Sequence, residues 1–241
     1  MKNKIAAVIL GAGKGTRMKS DKPKVLMPVC GKPMIKHIIE TLQTVPVDEI
    51  VTVISPEGQE VAKTVAPYKT CVQDKQLGTG HAVNCAKDAL KGFDGTVLVV
   101  FGDTPLITAE TFRRAAEKVE NGFAVVVLGF RPQDAGRYGR LVMNGQELER
   151  IVEFKDASEE ERAITFCNSG VMAFDGKHLF DILAKIGNNN AAGEFYLTDA
   201  VETARGMGLK CSAFEGNAEE VASANTLEEL AQLEIFYRKA H

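Results

Sequence analysis

The sequence predicts an α/β fold in which a mostly parallel sheet is covered by helices on both faces. Continuous runs of Val, Ile and Leu alternate with helical patterns through the first half of the chain. Uninterrupted apolar runs are typical of strands that are buried on both faces, and their alternation with helices is typical of parallel sheets. The first run ends at a glycine-rich turn, and ligands of such folds bind beyond the carboxyl ends of the strands.

In chain order, the apolar runs and helical periodicities place the elements of the first half. The predicted strands are Ile5–Leu10, Ile50–Ile54, Lys69–Val72, Thr96–Phe101 and Phe123–Gly129. The predicted helices are Pro33–Thr41, Glu57–Ala66, Gly80–Leu90 and Ala109–Glu120. Each helix lies between two strands, as a parallel sheet requires.

The pattern changes after Arg131, where a smaller, β-rich lobe is predicted. Strand-like segments at Gly139–Met143 and Glu147–Glu153 flank Asn144-Gly145, which is a strong hairpin signal. The charged segment Ser158–Arg162 is interpreted as a solvated loop or short helix. Further helices are predicted at Leu179–Ile186, Leu197–Gly206 and Leu227–Ala240. With no linker or repeat in the sequence, we expect one domain.

Composition excludes several classes of function. A 45% hydrophobic and 25% charged content is typical of globular proteins, and a net charge of −3 argues against coating nucleic acid or a membrane surface. No run approaches 18 apolar residues, which argues against a membrane-spanning helix. Five scattered cysteines, never spaced as C-x-x-C, favour reduced thiols and a cytoplasmic location over a disulfide scaffold or a zinc site.

The segment Leu10–Met18 predicts a phosphate-binding loop. Three glycines within five positions let the backbone N–H groups approach an anion, and Arg17 and Lys24 supply positive charge. The segment does not fit the P-loop template, because Lys14 is followed by Gly15 rather than Ser or Thr. It does not fit the dinucleotide-binding fingerprint either, because Gly15 comes too early.

Two further turns follow predicted strands. Asp103 comes directly after the strand Thr96–Phe101, where a carboxylate facing a phosphate loop is a natural ligand of Mg²⁺. The glycine-rich turn Gln76–Ala82 opens a helix, and its backbone is expected to contact a base or a sugar. Within it, His81 is expected to pack or to cap the helix.

The sequence lacks the usual signatures of covalent catalysis, including a Gly-x-Ser-x-Gly elbow and a clustered Cys/His pair. Nucleotidyl transfer to a phosphate needs neither, because the attacking phosphate is already anionic. The protein must instead hold two phosphate groups in line and offset their repulsion. Arg17, Lys24 and an Mg²⁺ ion bound by Asp103 would supply that charge.

These motifs resemble the sugar nucleotidyltransferases, and most closely the uridylyltransferase domains of bacterial N-acetylglucosamine-1-phosphate uridylyltransferases. The resemblance covers nearly all 241 residues. The opening loop is common to the superfamily, whereas the combination of Gln76–Ala82 with Asn188–Asp199 is more specific. The resemblance implies a Rossmann-like, mixed sheet of the nucleotide-diphospho-sugar transferase type. The halves would be about residues 1–130 for the nucleotide and 131–225 for the sugar, with a terminal helix at 226–241.

The resemblance also implies an activity: UTP and N-acetylglucosamine 1-phosphate give UDP-N-acetylglucosamine, a cell-wall precursor, and pyrophosphate, with Mg²⁺. Arg17 and Lys24 would be catalytic, and Asp103 and Asn225 would hold the metal. The nucleotide would contact Leu10, Gly11, Gly13, Lys24, Gln73, Gly78 and Thr79, with Gln73 and the Gly78 backbone at the uracil. The sugar would contact Thr79, Phe101, Gly139, Glu153, Asn168, Tyr196 and Thr198.

The sequence departs from the family pattern in three ways. Gly11 stands where many members have alanine, and Phe101 stands where some have a tyrosine near the sugar. The hexapeptide-repeat acetyltransferase half of the bifunctional enzymes has no counterpart here, so we expect a monomer or weak oligomer. Two alternatives remain open: a transferase for another nucleoside triphosphate or sugar 1-phosphate, and a non-catalytic nucleotide-sugar sensor.

Overall fold

The computed structural model describes residues 4–13 and 22–240. In these residues, nine strands form one mixed sheet in the order β5-β4-β1-β6-β10-β7-β11-β9-β8. The strands are β1 Ile5–Leu10, β2 Pro28–Val29, β3 Lys32–Pro33, β4 Glu49–Ile54, β5 Lys69–Val72, β6 Thr96–Phe101, β7 Val125–Phe130, β8 Arg140–Asn144, β9 Glu147–Val152, β10 Cys167–Asp175 and β11 Cys211–Glu215. β2 and β3 form a separate short hairpin.

Helices cover both faces of the sheet. They are α1 Met34–Gln43, α2 Gln59–Val65, α3 Thr79–Asn84, α4 Ala109–Glu120, α5 Glu159–Arg162, α6 Gly176–Leu183, α7 Ala200–Gly206 and α8 Leu227–Ala240. Within the described residues, every helix is too short or too polar to cross a bilayer.

β1 lies at the centre of the parallel part of the sheet. It pairs with β4 on one side and with β6 on the other, and both pairings are parallel. All six residues of β1 are buried. Because side chains alternate along a strand, Ile5, Ala7 and Ile9 enter the apolar cluster on one face, and Ala6, Val8 and Leu10 enter the cluster on the other. Burial on both faces explains the continuous apolar run.

The second half of the chain extends the same sheet. β10 inserts between β6 and β7 and runs antiparallel to both, which makes the sheet mixed. β11 adds parallel to β7, and the hairpin β8–β9 completes the far edge. The hairpin turns at Asn144 and Gly145 as predicted, and Gly145 has the positive φ of 61° that such turns favour.

The sequence did not predict β10 and β11. β10 opens with the polar segment Cys167–Gly170, so its apolar run is only Val171–Phe174, and β11 is a five-residue strand with alternating character. The helix predicted at Gly80–Leu90 ends at Asn84 and continues as turns. The segment predicted as helix Leu197–Gly206 begins with a single 3₁₀ turn before α7.

A third apolar cluster attaches α8 to the rest of the fold. Leu233 of α8 packs with Met27 and Val29 of the β2 region and with Leu106. The His37 ring of α1 meets the Tyr237 ring of α8 at a centroid distance of 4.5 Å. The start of α8, which carries Asn225 just before it, is thereby held beside the segment that carries Lys24.

Candidate active site

A cavity of about 270 Å³ opens at the carboxyl ends of β1 and β6. The two strands are joined there by a hydrogen bond from Gly102 N–H to the Leu10 carbonyl, at 2.9 Å. The cavity is lined by Leu10, Ala12, Gly13, Lys24, Val25, Gln73, Gln76, Gly78, Thr79, Ala82, Phe101, Asp103 and Glu194. This is the edge of the sheet where open α/β folds bind ligands.

Most residues predicted to bind the nucleotide lie around this cavity. Gly11 differs, because it is buried and its N–H donates to the Val53 carbonyl at 2.8 Å. A Cβ at Gly11 would lie 3.2 Å from that carbonyl oxygen, so the glycine allows the end of β1 to lie close to β4. Arg17, predicted as a catalytic cation, lies outside the described residues.

Three predicted residues meet at one point of the site. The Lys24 ammonium forms an ion pair with the Asp103 carboxylate and donates to the Asn225 Oδ1 at 2.8 Å. The side chains of Lys24 and Asp103 are only 14% and 16% exposed, so water screens their interaction less than on an open surface. The cluster therefore joins the predicted phosphate-binding cation, Lys24, to the two predicted metal ligands, Asp103 and Asn225.

Local structure holds each member of the cluster in place. Lys24 begins a 3₁₀ turn that ends at Leu26. The next residue, Val25, packs against Gly102, where an added Cβ would lie 2.8 Å from the Val25 Cγ1. The Asn225 N–H donates to the Glu229 carboxylate at 2.5 Å, and the Thr226 hydroxyl accepts from Glu229 N–H at 3.1 Å. Such reciprocal bonds fix the start of a helix, here α8.

The donor chemistry of the cluster fits Mg²⁺. A carboxylate and an amide oxygen approach the same ammonium, and these are oxygen ligands of the kind that magnesium takes beside water and phosphate oxygens. In the described parts of the chain, no group of three His, Cys, Asp or Glu side chains could hold a metal on its own. Substrate oxygens would therefore have to complete the coordination at Asp103 and Asn225.

Opposite this cluster, polar groups of the β5–α3 turn face the cavity. Gln73 is only 4% exposed, and its amide donates to the Gly78 carbonyl at 3.1 Å. Gln76, which was not predicted as a site residue, donates to the Ala12 carbonyl at 2.6 Å and so joins this turn to the loop after β1. Its position in the glycine-rich turn was the only sequence signal for this role.

The same turn packs tightly against the segment before α7. Gly78 has a φ of 113°, and a Cβ there would lie 2.5 Å from the Phe195 carbonyl oxygen. Gly80 N–H donates to that carbonyl at 2.8 Å, and the Thr79 hydroxyl accepts from Leu197 N–H at 2.9 Å. Thr79 therefore connects the nucleotide side of the site to the predicted sugar side.

Most of the predicted sugar residues lie beside the β8–β9 hairpin, on β10 or in the segment before α7, whereas Thr79 begins α3 and Phe101 ends β6. Thr198 donates to the Glu153 carboxylate at 3.2 Å, and a Cβ at Gly139 would lie 3.5 Å from the same carboxylate. Asn168 N–H donates to the Gly139 carbonyl at 2.8 Å. Burial raises the pKa of Glu153, and the hydrogen bond from Thr198 partly offsets this rise.

Two aromatic residues complete this side. Desolvation raises the pKa of the Tyr196 hydroxyl, and the charges of Asp156 and Glu153 raise it further. Phe101 lies against Gly170, whose φ of 86° and lack of a side chain allow the contact, because a Cβ there would lie 2.4 Å from the ring. Phe101 lines the cavity with carbon only, as the departure from tyrosine predicted.

Arg140 shapes the loop that precedes Gly139. It is 2% exposed, and its guanidinium donates to the carbonyls of Ala135 and Gly136 at 3.2 and 3.1 Å, and also to that of Tyr138. Its Nε donates to the Arg162 carbonyl at 3.3 Å. A buried cation that is satisfied by main-chain oxygens fixes the loop conformation, and the sequence reasoning missed this role.

Comparison with known proteins agrees with the fold. A chain described as a glucose-1-phosphate thymidylyltransferase from Bacillus anthracis, solved in complex with sucrose, has a TM-score of 0.78 and 21% identity, and the match covers 97% of this chain and 95% of that one. At that identity the likeness shows the fold alone. It confirms the predicted mixed α/β sheet of the nucleotide-diphospho-sugar transferase type.

Closer relatives are found by sequence. The chain is 56% identical over 233 residues to the bifunctional protein GlmU of Rhodospirillum rubrum and 48% identical over 234 residues to that of Paramagnetospirillum magneticum. Each match covers 96% of this chain but 52% of the relative, so the chain spans about half the length of these curated relatives. The profile of the MobA-like NTP transferase domain matches residues 7–195, and the chain therefore belongs to that family.

Proposed function

We propose that this protein transfers UMP from UTP to N-acetylglucosamine 1-phosphate, which gives UDP-N-acetylglucosamine and pyrophosphate. The convergence of Lys24, Asp103 and Asn225 supports the proposal, because it brings a cation that lines the cavity together with two oxygen groups of the kind that Mg²⁺ takes as ligands. The high identity to GlmU proteins and the family match support the same reaction class.

The reaction proposed is a single in-line displacement. A phosphate oxygen of the sugar 1-phosphate attacks the α-phosphorus of UTP, and the bond from that phosphorus to the bridging oxygen of pyrophosphate breaks. No proton has to be removed from the nucleophile, because the phosphate is already ionised near neutral pH. The main task of the protein is to align the two phosphates and to stabilise the charge that develops between them.

Lys24 is the described cation best placed for that task. Its ammonium is held by one carboxylate and one amide oxygen, and we propose that phosphate oxygens replace these partners when the substrates bind. Mg²⁺, when bound at Asp103 and Asn225, would neutralise phosphate charge beside it. Arg17 is proposed as a second cation on the basis of the sequence resemblance.

Two groups of residues are proposed to hold the other parts of the substrates. Gln73 and Gly78, which line the far side of the cavity, would contact the uracil. Glu153 and Thr198 would accept and donate hydrogen bonds to the sugar, and Thr79 would lie between the two groups. The acetamido group distinguishes this sugar from glucose, and hydrogen-bonding groups discriminate such substituents strongly.

We also propose a cytoplasmic enzyme that is a monomer or weak oligomer and that works without nucleic acid or membrane. The five cysteines, Cys30, Cys71, Cys85, Cys167 and Cys211, are all unpaired. Unpaired thiols are typical of reducing compartments, where the nucleotide substrate is also made.

Pyrophosphate release tests this proposal. The purified protein would be assayed with Mg²⁺ and a matrix of UTP, CTP, GTP, ATP and dTTP against several sugar 1-phosphates. We expect the highest kcat/KM for UTP with N-acetylglucosamine 1-phosphate. A preference for another triphosphate would overturn the uracil assignment, and a preference for glucose 1-phosphate would overturn the sugar assignment. Release with no pair would overturn the enzymatic function itself.

A further inference from the structure

His81 has no part in the function proposed above, yet it contacts a residue that lines the cavity. Its Nδ1 lies 3.1 Å from the Nε2 of Gln73. The same Nε2 donates to the Gly78 carbonyl at 3.1 Å. Two acceptors therefore lie within hydrogen-bond distance of one amide group, which has two N–H bonds to offer.

These contacts determine the positions of the nitrogen and the oxygen of the Gln73 side-chain amide. A carbonyl oxygen accepts and never donates, so the atom beside Gly78 must be the amide nitrogen. An amide nitrogen only donates, so the Nδ1 of His81 must be unprotonated, and the ring proton of the neutral imidazole lies on Nε2. The backbone of Gln73 is itself fixed, since its N–H donates to the Ile54 carbonyl at 2.8 Å.

The other end of the amide is left for a ligand. Within the described ranges, the Oε1 of Gln73 has no hydrogen-bond partner. This oxygen is still partly accessible, because the fully buried side-chain atoms without a partner in those ranges are the hydroxyls of Thr52 and Thr96. Gln73 lines the cavity, so this oxygen faces the space that a ligand would occupy. The amide thus offers an acceptor, and both of its donors are used inside the protein.

We infer that His81 is a positioning residue that makes Gln73 an acceptor and thereby selects a base carrying an N–H at its reading edge. This inference rests on the proposed function, because it assumes that Gln73 faces the base. Uracil presents N3–H beside a carbonyl oxygen, which fits an acceptor from Gln73 and an N–H from the Gly78 backbone. Cytosine presents an acceptor at N3, which an oxygen of Gln73 would repel.

Binding, rather than turnover, gives the sharpest test. The affinities of UTP and CTP would be measured by calorimetry for the wild type, His81→Leu, His81→Asn, Gln73→Ala and the double variant His81→Leu/Gln73→Ala. Leucine removes the acceptor, whereas asparagine can place its side-chain oxygen where Nδ1 lies. His178→Gln, a change at the other end of the sheet on α6, is the control and is expected to bind like the wild type.

We expect the ratio of UTP to CTP affinity to fall about tenfold in His81→Leu, the loss typical of one hydrogen bond, and to recover in His81→Asn. In the Gln73→Ala background the His81 change should have no further effect, because the two residues act through one amide. An equal loss of both affinities in His81→Leu would indicate a purely structural histidine and would overturn the inference. So would an unchanged ratio. A protein that binds UTP selectively but releases no pyrophosphate would overturn the proposed function and leave this inference standing.

Discussion

The Nζ of Lys24 donates to the Oδ1 of Asn225 at 2.8 Å, which joins residues 201 positions apart in the chain. Lys24 belongs to the segment after the predicted phosphate-binding loop, and Asn225 belongs to the turn before α8. The bond therefore couples the docking of the last helix to the charge at the mouth of the cavity. The apolar contacts of Leu233 with Met27 and Val29 hold the two segments in that relationship.

Replacing Asp103 by asparagine should abolish most of the turnover. The change keeps the size of the side chain but removes the negative charge that pairs with Lys24 and that would bind Mg²⁺. We expect kcat to fall at least about 100-fold, in keeping with the loss of a metal ligand. The far-UV circular dichroism spectrum should remain that of the wild type.

A second measurement on Asp103→Asn separates metal binding from catalysis. Mg²⁺ with UTP should raise the Tm of the wild type, because a ligand that binds the native state stabilises it, and the variant should lack this shift. A near-normal rate for the variant at saturating Mg²⁺ would contradict the metal role of Asp103.

Lys24→Ala should lower kcat more than it raises the KM for UTP. A cation that stabilises charge formed in the transition state contributes to turnover, whereas one that binds the ground state contributes to KM. We expect kcat to fall about 100-fold and KM to change less than about threefold. Lys32→Ala is the matched control, because Lys32 pairs with Glu40 on the exposed surface. A change confined to KM would reassign Lys24 to ground-state binding.

Gly78→Ala should disrupt the site through the backbone. Its φ of 113° strains any residue with a side chain, and the new Cβ would lie 2.5 Å from the Phe195 carbonyl oxygen. We expect a stability loss of about 1–3 kcal/mol and loss of UTP binding, because the Phe195 segment must move. Gly92→Ala has a φ of 75° but no atom within 4 Å of the new Cβ, so it should cost stability without affecting UTP affinity. Equal UTP affinities in the two variants would show that the Phe195 contact is dispensable.

The pH dependence of stability should carry a contribution from Asp199. Burial, and then the charges of Glu202, Glu153 and Asp156, raises the pKa of Asp199 from 3.8 to about 6. The folded state therefore binds a proton that the unfolded state releases, and stability from this group is complete below pH 3.8 and is lost as the pH rises through about 6.

Asp199→Asn should remove this loss. We expect its Tm at pH 8 to exceed that of the wild type by about 2–4 °C, the effect of roughly 1 kcal/mol after allowance for solvent screening. The difference should disappear at pH 3.5. Asp181→Asn, on the exposed surface of α6, should show no such dependence. The Tm values would be measured by thermal unfolding across this pH range. Equal Tm values for Asp199→Asn and the wild type at pH 8 would contradict the raised pKa of Asp199.

The parallel half of the fold was predictable because its central strands β1, β4 and β6 are buried on both faces. The bounds predicted for β1, β6 and α4 are the same as those in the structure. β10 was not predictable in this way, because the segment Asn168–Gly170 near its start is polar or glycine and only Val171–Phe174 forms an apolar run. Its place between β6 and β7 depends on pairing with strands distant in sequence, which local patterns do not reveal.

The candidate site was predictable where chemistry depends on residue type. Lys24, Asp103 and Asn225 were predicted from their motifs or from the family resemblance, and the structure brings them together. Gly11 was assigned to the nucleotide, and that assignment stays a prediction, because the structure shows only the contact of Gly11 with Val53 of β4. The role of Arg140 in fixing the loop was not predicted. Its guanidinium bonds main-chain carbonyls, which every residue carries, so no residue type in the sequence indicates the contact. The division of the chain near residues 130 and 225 stays a prediction.

The most direct test of the proposed reaction is to quantify both of its products in one mixture. The protein would be incubated with UTP, N-acetylglucosamine 1-phosphate and Mg²⁺, and pyrophosphate and the nucleotide sugar would be measured together by chromatography. We expect UDP-N-acetylglucosamine and pyrophosphate in equal amounts, with neither formed when the sugar phosphate is omitted. Pyrophosphate without UDP-N-acetylglucosamine would mean that water is the acceptor, and the absence of both products would overturn the proposed uridylyl transfer.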